Sequence, residues 1–454
     1  MEEIEVVIEK VIGLVEAKKI NDLKEYLETV NSADFPKIFE ELDDEKIKLV
    51  YRILPKDKAA EVFVELDHDD AEKLIGYLTD KEIKNVMNEL YMDDAVDLIE
   101  EMPSDVVERI LKNTRPSDRK VINELLKYPE DTAGSLMTTE YVALRENMTV
   151  DDAFVEIKNK GIRTETVYNC YVLDDKNKLV GIVDIKEILL ADTSEKMNEI
   201  MDSNVIKVST LEDQEEVTKM FDKYDLIAVP VVDKENALVG VITIDDAFDV
   251  MQEEVLEDFE KMAAISASSG DSYLKTSVFT HAKNRIMWLL FLMLSATITG
   301  TITNNFEATI ATLPILVAFM PMLMDTGGNC GSQSSTLIIR GLATDEISTK
   351  DYLRALWKEI RVATCVGLTL AVLNGIRIAV QYHNLEYGNK LALVVSMSIF
   401  FVVIFANTLG CTLPIFAKKL KLDPAIMAAP LISTIVDSCS VLLFFMLAST
   451  LIHI

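Results

Sequence analysis

Basic charge is scarce where acidic charge is abundant. Residues 1–280 hold 33 lysines and arginines against 66 aspartates and glutamates, whereas the rest of the chain holds 12 against 9. A surface of that sign argues against nucleic acid as a partner and against docking on anionic lipid, and it suits a partner that is itself a cation. Acidic excess also keeps a domain soluble, and charge alone leaves that plainer explanation open. Cysteine is equally uninformative as a staple. Cys170, Cys330, Cys365, Cys411 and Cys439 form no C-x-x-C pair, which argues against a disulfide framework or a zinc site. Four histidines serve the whole chain, and the long apolar segments contain none before His453. The imidazole ligands preferred by softer metals, and a histidine base for an intramembrane enzyme, are therefore missing. No basic n-region with a short apolar run and cleavage site opens the chain, so no signal peptide is expected and the N-terminus is expected to stay in the cytosol.

Periodicity organises the acidic part. Leu42, Leu54, Leu66, Leu78, Leu90 and Met102 recur every 12 residues, with Asp or Pro near each junction. Twelve residues hold one short helix and a turn, so residues 1–130 read as an all-α helical-repeat domain. From about 131 to 253 the pattern becomes an α/β one. The segments YVLDDKNKLVGIVDIKEI (171–188) and VPVVDKENALVGVITIDDA (229–247) align, each with a strand pair around a turn, a glycine (Gly181 or Gly240), an apolar strand and a helix start. They resemble tandem cystathionine-β-synthase-type (CBS) modules. Thr243 and Asp246 match the T-x-x-D pattern of nucleotide-binding CBS members, while the first module has Asp184 and Glu187 instead. The resemblance thus implies at most one adenine-nucleotide site, or an empty, degenerate pair.

A long amphipathic linking helix is expected over 254–280, its apolar face begun by Phe248, Met251, Val255, Phe259 and Met262. Residues 281–454 then carry five apolar segments, roughly 286–304, 309–339, 355–380, 391–417 and 425–452, each near the ~20 residues that cross a bilayer. The basic clusters Lys283/Arg285, Arg340–Arg361 and Lys418–Lys421 fall in alternate loops, which predicts five spans with the N-terminus inside and the C-terminus outside.

Polar residues interrupt three of these segments. Pro321, Gly327 and Gly328 with Asn329, Ser332, Gln333 and Ser334 predict a broken second span; Pro414 beside Asn407 and Gly410 predicts a broken fourth; Pro430 does so for the fifth. Pro430, Ser433, Thr434 and Asp437 share one face by i, i+3, i+4, i+7 spacing. A carboxylate at such depth is costly, about 2.5 kcal/mol or more on insertion scales, and marks an ion pathway or a buried pair. Asp325 and Arg377 are the other charges well inside the segments, with Lys358, Glu359 and Arg361 at the mouth of the third. The pattern reads as a pore for a hydrated cation.

PMLMDTGGNCGSQ, the ANxxG segment and DPAxxxxPxxxTxxD are similar to the signature segments of the MgtE family of bacterial and archaeal magnesium channels, and the order of modules agrees with it. The resemblance implies a homodimer in the plasma membrane with one pore on the twofold axis, closed by cytosolic Mg2+ and not an enzyme. Asp437, Asn329, Gly328, Asn407, Ala428 and Thr434 would line the pore, with Asp325 a second acid near it. By the same similarity, regulatory Mg2+ would bind Glu61, Asp93 and Asp94 in the repeat, Asp213, Glu216, Asp225, Asp246 and Asp249 in the CBS pair, and Glu254, Glu257 and Asp258 in the linking helix. The competing readings are a transporter of manganese, cobalt or zinc, and a CBS-regulated membrane enzyme.

Overall fold

The computed structural model of the chain describes residues 4–161, 164, 166–266, 273–274, 276–427 and 429–452. The chain divides into two compact units, Met1–Gln252 and Glu253–Ile454.

In the first unit the 12-residue period becomes a stack of short helices. Asp44–Ile53, Lys56–Val64, His68–Tyr77, Asp80–Glu89, Met92–Glu101, Ser104–Asn113 and Pro116–Leu125 follow one another. Asp43, Asp67 and Thr79 cap three of them, each side chain accepting a backbone N–H of the first turn. The recurrent Leu54, Leu78, Leu90 and Met102 take extended backbone directly after a helix, where a buried side chain ends one layer and turns the chain into the next. The core of the repeat does not stop at residue 130. It runs on through Met137, Val217, Phe221, Val229, Val231 and Ala247, so the repeat and the second β–α module share one apolar cluster.

Each β–α module holds a three-stranded sheet of the same topology. β1 (Ala143–Arg145) pairs parallel with β2 (Asn169–Leu173), which pairs antiparallel with β3 (Leu179–Asp184). β4 (Val208–Ser209), β5 (Ala228–Val232) and β6 (Leu238–Thr243) repeat this arrangement. The aligned turns are built alike. Asp174 accepts the backbone N–H of Lys176 and Lys178, Asp233 accepts those of Glu235 and Ala237, and Asn177 and Asn236 sit at positive φ. Tyr171, Leu173, Leu179, Val232, Leu238 and Val241 form a shared core, so the two modules pair. Helix α1 (Gln214–Tyr224) precedes β5, and α2 (Ile244–Met262) follows β6. α2 ends at Met262, well short of the helix expected over 254–280; residues 267–272 and 275 lie outside the described residues.

In the second unit five helices pack together: α3 (Val278–Asn305), α4 (Met320–Ala343), α5 (Tyr352–Gln381), α6 (Gly388–Lys419) and α7 (Ala429–Ile452). Among the described residues four helical stretches are long and apolar enough to cross a membrane, Val278–Asn305, Thr349–Gln381, Gly388–Lys419 and Pro424–Ile452. Their core holds Leu316, Phe319, Ile378, Val394, Phe444 and Phe445, whereas Met287, Leu294, Leu373 and Met446 are turned outward. The segment expected to span over 309–339 is divided instead. A short helix Glu307–Thr312 and a 3-10 turn Pro314–Phe319 precede α4, which is too polar to count among the four.

The second segment is interrupted as expected, but before Pro321 and not at the glycines. Pro321 lies in the first turn of α4 and Pro430 in the first turn of α7, where the missing N–H would have had no helical partner anyway. Gly327 and Gly328 are continuous helix. Pro414 alone of the three lies inside a helix, in α6.

Candidate functional site

The polar residues of α4 divide between two faces. Asp325, Asn329 and Gln333, at i, i+4 and i+8, are exposed. Gly327, Gly328, Gly331, Ser334 and Ser335 are buried. The glycines permit close helix packing. A Cβ on Gly327 would come within 2.7 Å of both Val402 and Val436, and one on Gly331 within 2.7 Å of Ile432. Ser334 Oγ donates to the Asn407 carbonyl (3.1 Å) and Ser335 Oγ to the Met427 carbonyl (3.0 Å), tying α4 to α6 and to the turn before α7.

Asp437 is half-buried on α7 and lies within electrostatic reach of Asp325. Thr434, one turn earlier, is half-buried and donates its hydroxyl to the Pro430 carbonyl (2.8 Å), so in this chain its Oγ proton is already used. Gly328 faces Ser433, 3.2 Å from where its Cβ would lie. Ala428 lies outside the described residues. Asn407 corrects an expectation: it is only 6% exposed, and its Nδ2 donates to Glu359 Oε2 (3.3 Å) instead of facing a path. Glu359, read from sequence as a mouth residue, is itself buried in α5. Thus Asp325 and Asp437 lie within electrostatic reach of one another, Asn329 is exposed one turn along α4 from Asp325, and Asn407 is buried.

A second constellation lies in the first unit, where the repeat meets α2. Asp94 is pushed up to about 6 by burial and by the charges of Asp246, Asp245 and Glu65. Asp246 is also pushed up to about 6, by burial first and then by Asp245 and Asp249, against a lowering hydrogen bond from Thr243 Oγ1 (2.6 Å). Burial, Asp249 and Glu61 raise Glu65; burial and Asp245 raise Asp249. Carboxylates that raise one another are a site of unrelieved negative charge. Four expected residues, Glu61, Asp94, Asp246 and Asp249, meet here. Glu65 and Asp245 join them unforeseen, although Glu61/Glu65 and Asp245/Asp249 are i, i+4 pairs on single helix faces.

The remaining expected acids have varied local settings. Asp93 is buried and its carboxylate accepts the Asp94 N–H. Asp213 caps the start of α1, Glu216 pairs with Lys219 at 2.8 Å, and Asp225 ends α1 at a φ of 51°. Asp213 and Asp225 are thereby separated by the length of α1, about 16 Å, too far to share an ion. Glu254, Glu257 and Asp258 lie on α2 in the second unit. Glu257 pairs with Lys261 (2.7 Å), which also reaches Asp423 (2.8 Å); burial works against the lysine's charge, but these two carboxylates raise it above the ordinary lysine range. Among the described residues no three His, Cys, Asp or Glu side chains converge to chelate a bare ion. Thr243 is buried, and its hydroxyl donates to Asp246 Oδ2 (2.6 Å).

Known proteins resemble this chain. Residues 320–447 match the family described as divalent cation transporter, residues 30–131 the MgtE intracellular N domain, and residues 133–194 and 197–253 the CBS domain. The magnesium transporter MgtE of Thermus thermophilus is 37% identical over 448 residues, covering 97% of this chain and 98% of its own length. That of Bacillus subtilis is 36% identical over 343 residues, 76% of this chain and 74% of the relative. Among solved structures, the cytosolic domain of the Mg2+ channel MgtE in complex with ATP is 35% identical with a TM-score of 0.50, matching 53% of this chain and 99% of that one. The soluble part of a magnesium transporter is 28% identical with a TM-score of 0.52, covering 56% and 99%.

Proposed function

Since the chain belongs to the MgtE family of divalent cation transporters, we propose that it carries Mg2+ across the plasma membrane and is closed by Mg2+ bound among its acidic N-terminal residues. One observation carries this reading. Asp325, Asn329 and Gln333 form an exposed polar stripe on α4, and its Asp325 is within electrostatic reach of the half-buried Asp437. Hydrocarbon cannot accept such a stripe, so it faces water or a second copy of the chain. A homodimer that brings two stripes and two Asp437 carboxylates to a twofold axis satisfies both needs. Its path would contact a hydrated ion with amides, carbonyls and carboxylates, as Mg2+ requires. Asp325, Asn329, Thr434 and Asp437 form its wall.

In this reading α4 is the fifth crossing segment, since its 24 residues extend about 36 Å. The basic loops then set the N-terminus inside and the C-terminus outside. The domain limits are 1–130, 131–253, 254–280 and 281–454. The regulatory ions take Glu61, Glu65, Asp94, Asp245, Asp246 and Asp249 as their principal set. Asp93, Asp213, Glu216, Asp225, Glu254, Glu257 and Asp258 are secondary positions. Without Mg2+ the clustered carboxylates repel; with it they are bridged, and the compact, closed arrangement is favoured. The ATP complex of a relative supports an adenine nucleotide at Thr243 and Asp246 of this chain.

The test is Mg2+ uptake into liposomes containing the full chain, with Mg2+ varied on the N-terminal side. Uptake that falls as that concentration rises supports transport and closure together; uptake of Mn2+ or Co2+ in preference to Mg2+ favours the other divalent cations.

A further inference from the structure

Glu359 has a buried carboxylate in a helix of the transport unit, and nothing above uses it. It is 8% exposed, and among the described residues no lysine or arginine pairs with it. Among the described residues its one hydrogen bond comes from Asn407 Nδ2, at 3.3 Å. Asn407 depends on it in turn: the residue is 6% exposed and, among the described residues, its Oδ1 meets no partner and Glu359 is the one acceptor for its Nδ2. Asn407's backbone carbonyl receives the hydroxyl of Ser334. Two polar contacts at Asn407, one through its side-chain amide and one through its backbone carbonyl, therefore join three helices, from Glu359 on α5 to Ser334 on α4. Ser334 lies nine residues after Asp325, which places the two on opposite faces of α4. These contacts thus reach the back of the helix whose front carries Asp325, Asn329 and Gln333.

A buried polar group with so few partners is costly, because removing one member leaves the next desolvated and unsatisfied. The close approach at Gly331 and Gly410 presses α4 and α6 together beside these contacts, leaving little slack to absorb a shift. We infer that Glu359 is a positioning residue for ion passage: through Asn407 and Ser334 it fixes the rotation and depth of α4, and with them the polar stripe. Glu359 touches no ion in this role; it acts through a hydrogen bond that it accepts. This inference rests on the proposed path along α4 and Asp437.

The experiment compares Mg2+ uptake by full-length Glu359→Gln, Glu359→Ala, Ser334→Ala and wild type in liposomes, with Asp437→Ala as the control for the path itself. Glutamine keeps a carbonyl for Asn407 Nδ2, so Glu359→Gln retains wild-type uptake. Glu359→Ala and Ser334→Ala lower the maximal rate by about tenfold or more, the effect expected when a supporting shift misplaces contacting groups, and weaken discrimination of Mg2+ from Ca2+. The cytosolic Mg2+ concentration that closes the protein stays unchanged. The double variant Glu359→Ala/Ser334→Ala is no worse than either alone, since both cut the same linkage through Asn407. Ser334→Ala removes a single oxygen and keeps the test usable where Glu359→Ala fails to fold. Loss of uptake in a well-folded Glu359→Gln would overturn the inference, because the charge and not the hydrogen bond would then matter. So would additive losses, or wild-type rates in both alanine variants. Normal uptake by Asp437→Ala would instead remove the path on which the inference rests.

Discussion

Asp94, in the helical repeat, lies close enough to Asp246, on α2, for the Asp246 charge to help push its carboxyl up to about 6. Two segments far apart in sequence thus meet through carboxylates, with Glu65, Asp245 and Asp249 around them.

That relationship fixes a pH dependence. Both Asp94 and Asp246 have raised folded values, from 3.8 to about 6. The folded unit therefore takes up protons between about 6 and 4 that the unfolded chain does not, and stability rises as pH falls through that window. In Mg2+-free buffer the thermal midpoint of residues 1–252 should be higher at pH 5 than at pH 7. Adding Mg2+ should raise it at pH 7 and do less at pH 5, where protons already occupy the carboxylates. A midpoint that falls steadily from pH 7 to pH 5 contradicts the cluster.

Neutralising the cluster should remove the carboxylates that Mg2+ bridges, together with their mutual repulsion. Asp94→Asn with Asp246→Asn should raise the Mg2+-free midpoint and blunt its response to Mg2+. In liposomes the same variant should need a higher cytosolic Mg2+ concentration to close. Calorimetric titration of the variant with Mg2+ checks this directly, and an unaltered titration would move the sensor elsewhere.

The glycines of α4 serve packing. Gly327→Ala or Gly331→Ala places a methyl within 2.7 Å of its neighbours, an overpacking that should destabilise the transport unit by about 1–3 kcal/mol. Melting in detergent measures it. Pro321→Ala, at a helix start, should change stability by no more than about 0.5 kcal/mol.

The contrast between these glycines and Pro321 shows what the sequence could and could not convey. The repeat was legible because Leu54, Leu78 and Leu90 end their helices at a fixed period, and a 12-residue interval admits one helix and a turn. The paired sheets were legible from aligned turns. A proline's effect depends on whether its turn is the first of a helix, and linear sequence does not say where α4 begins. Asn407 and Glu359 were misjudged for a related reason: each lies in a polar-looking stretch, but which face of α6 or α5 is buried depends on the neighbouring helices. The acidic cluster was half legible. Glu61 and Asp94 could be named by resemblance, whereas Glu65 and Asp245 emerge only when the repeat and α2 share a core.

Lys261 offers a further check on gating. Its ammonium bridges Glu257 and Asp423, the latter capping the turn before α7 by accepting the Ala425 N–H (2.8 Å). Lys261→Glu should repel both carboxylates and shift the closing Mg2+ concentration while leaving the maximal rate near wild type. An unchanged closing curve would assign the pair to the surface class whose worth is at most about 1 kcal/mol.

The central claim is that Mg2+ passes beside Asp437. Its most direct test is Mg2+ flux into liposomes for wild type and Asp437→Ala, at low and high Mg2+ on the N-terminal side. The account predicts wild-type flux that falls at high Mg2+, and no flux from a folded Asp437→Ala under either condition. Undiminished flux in Asp437→Ala would contradict it.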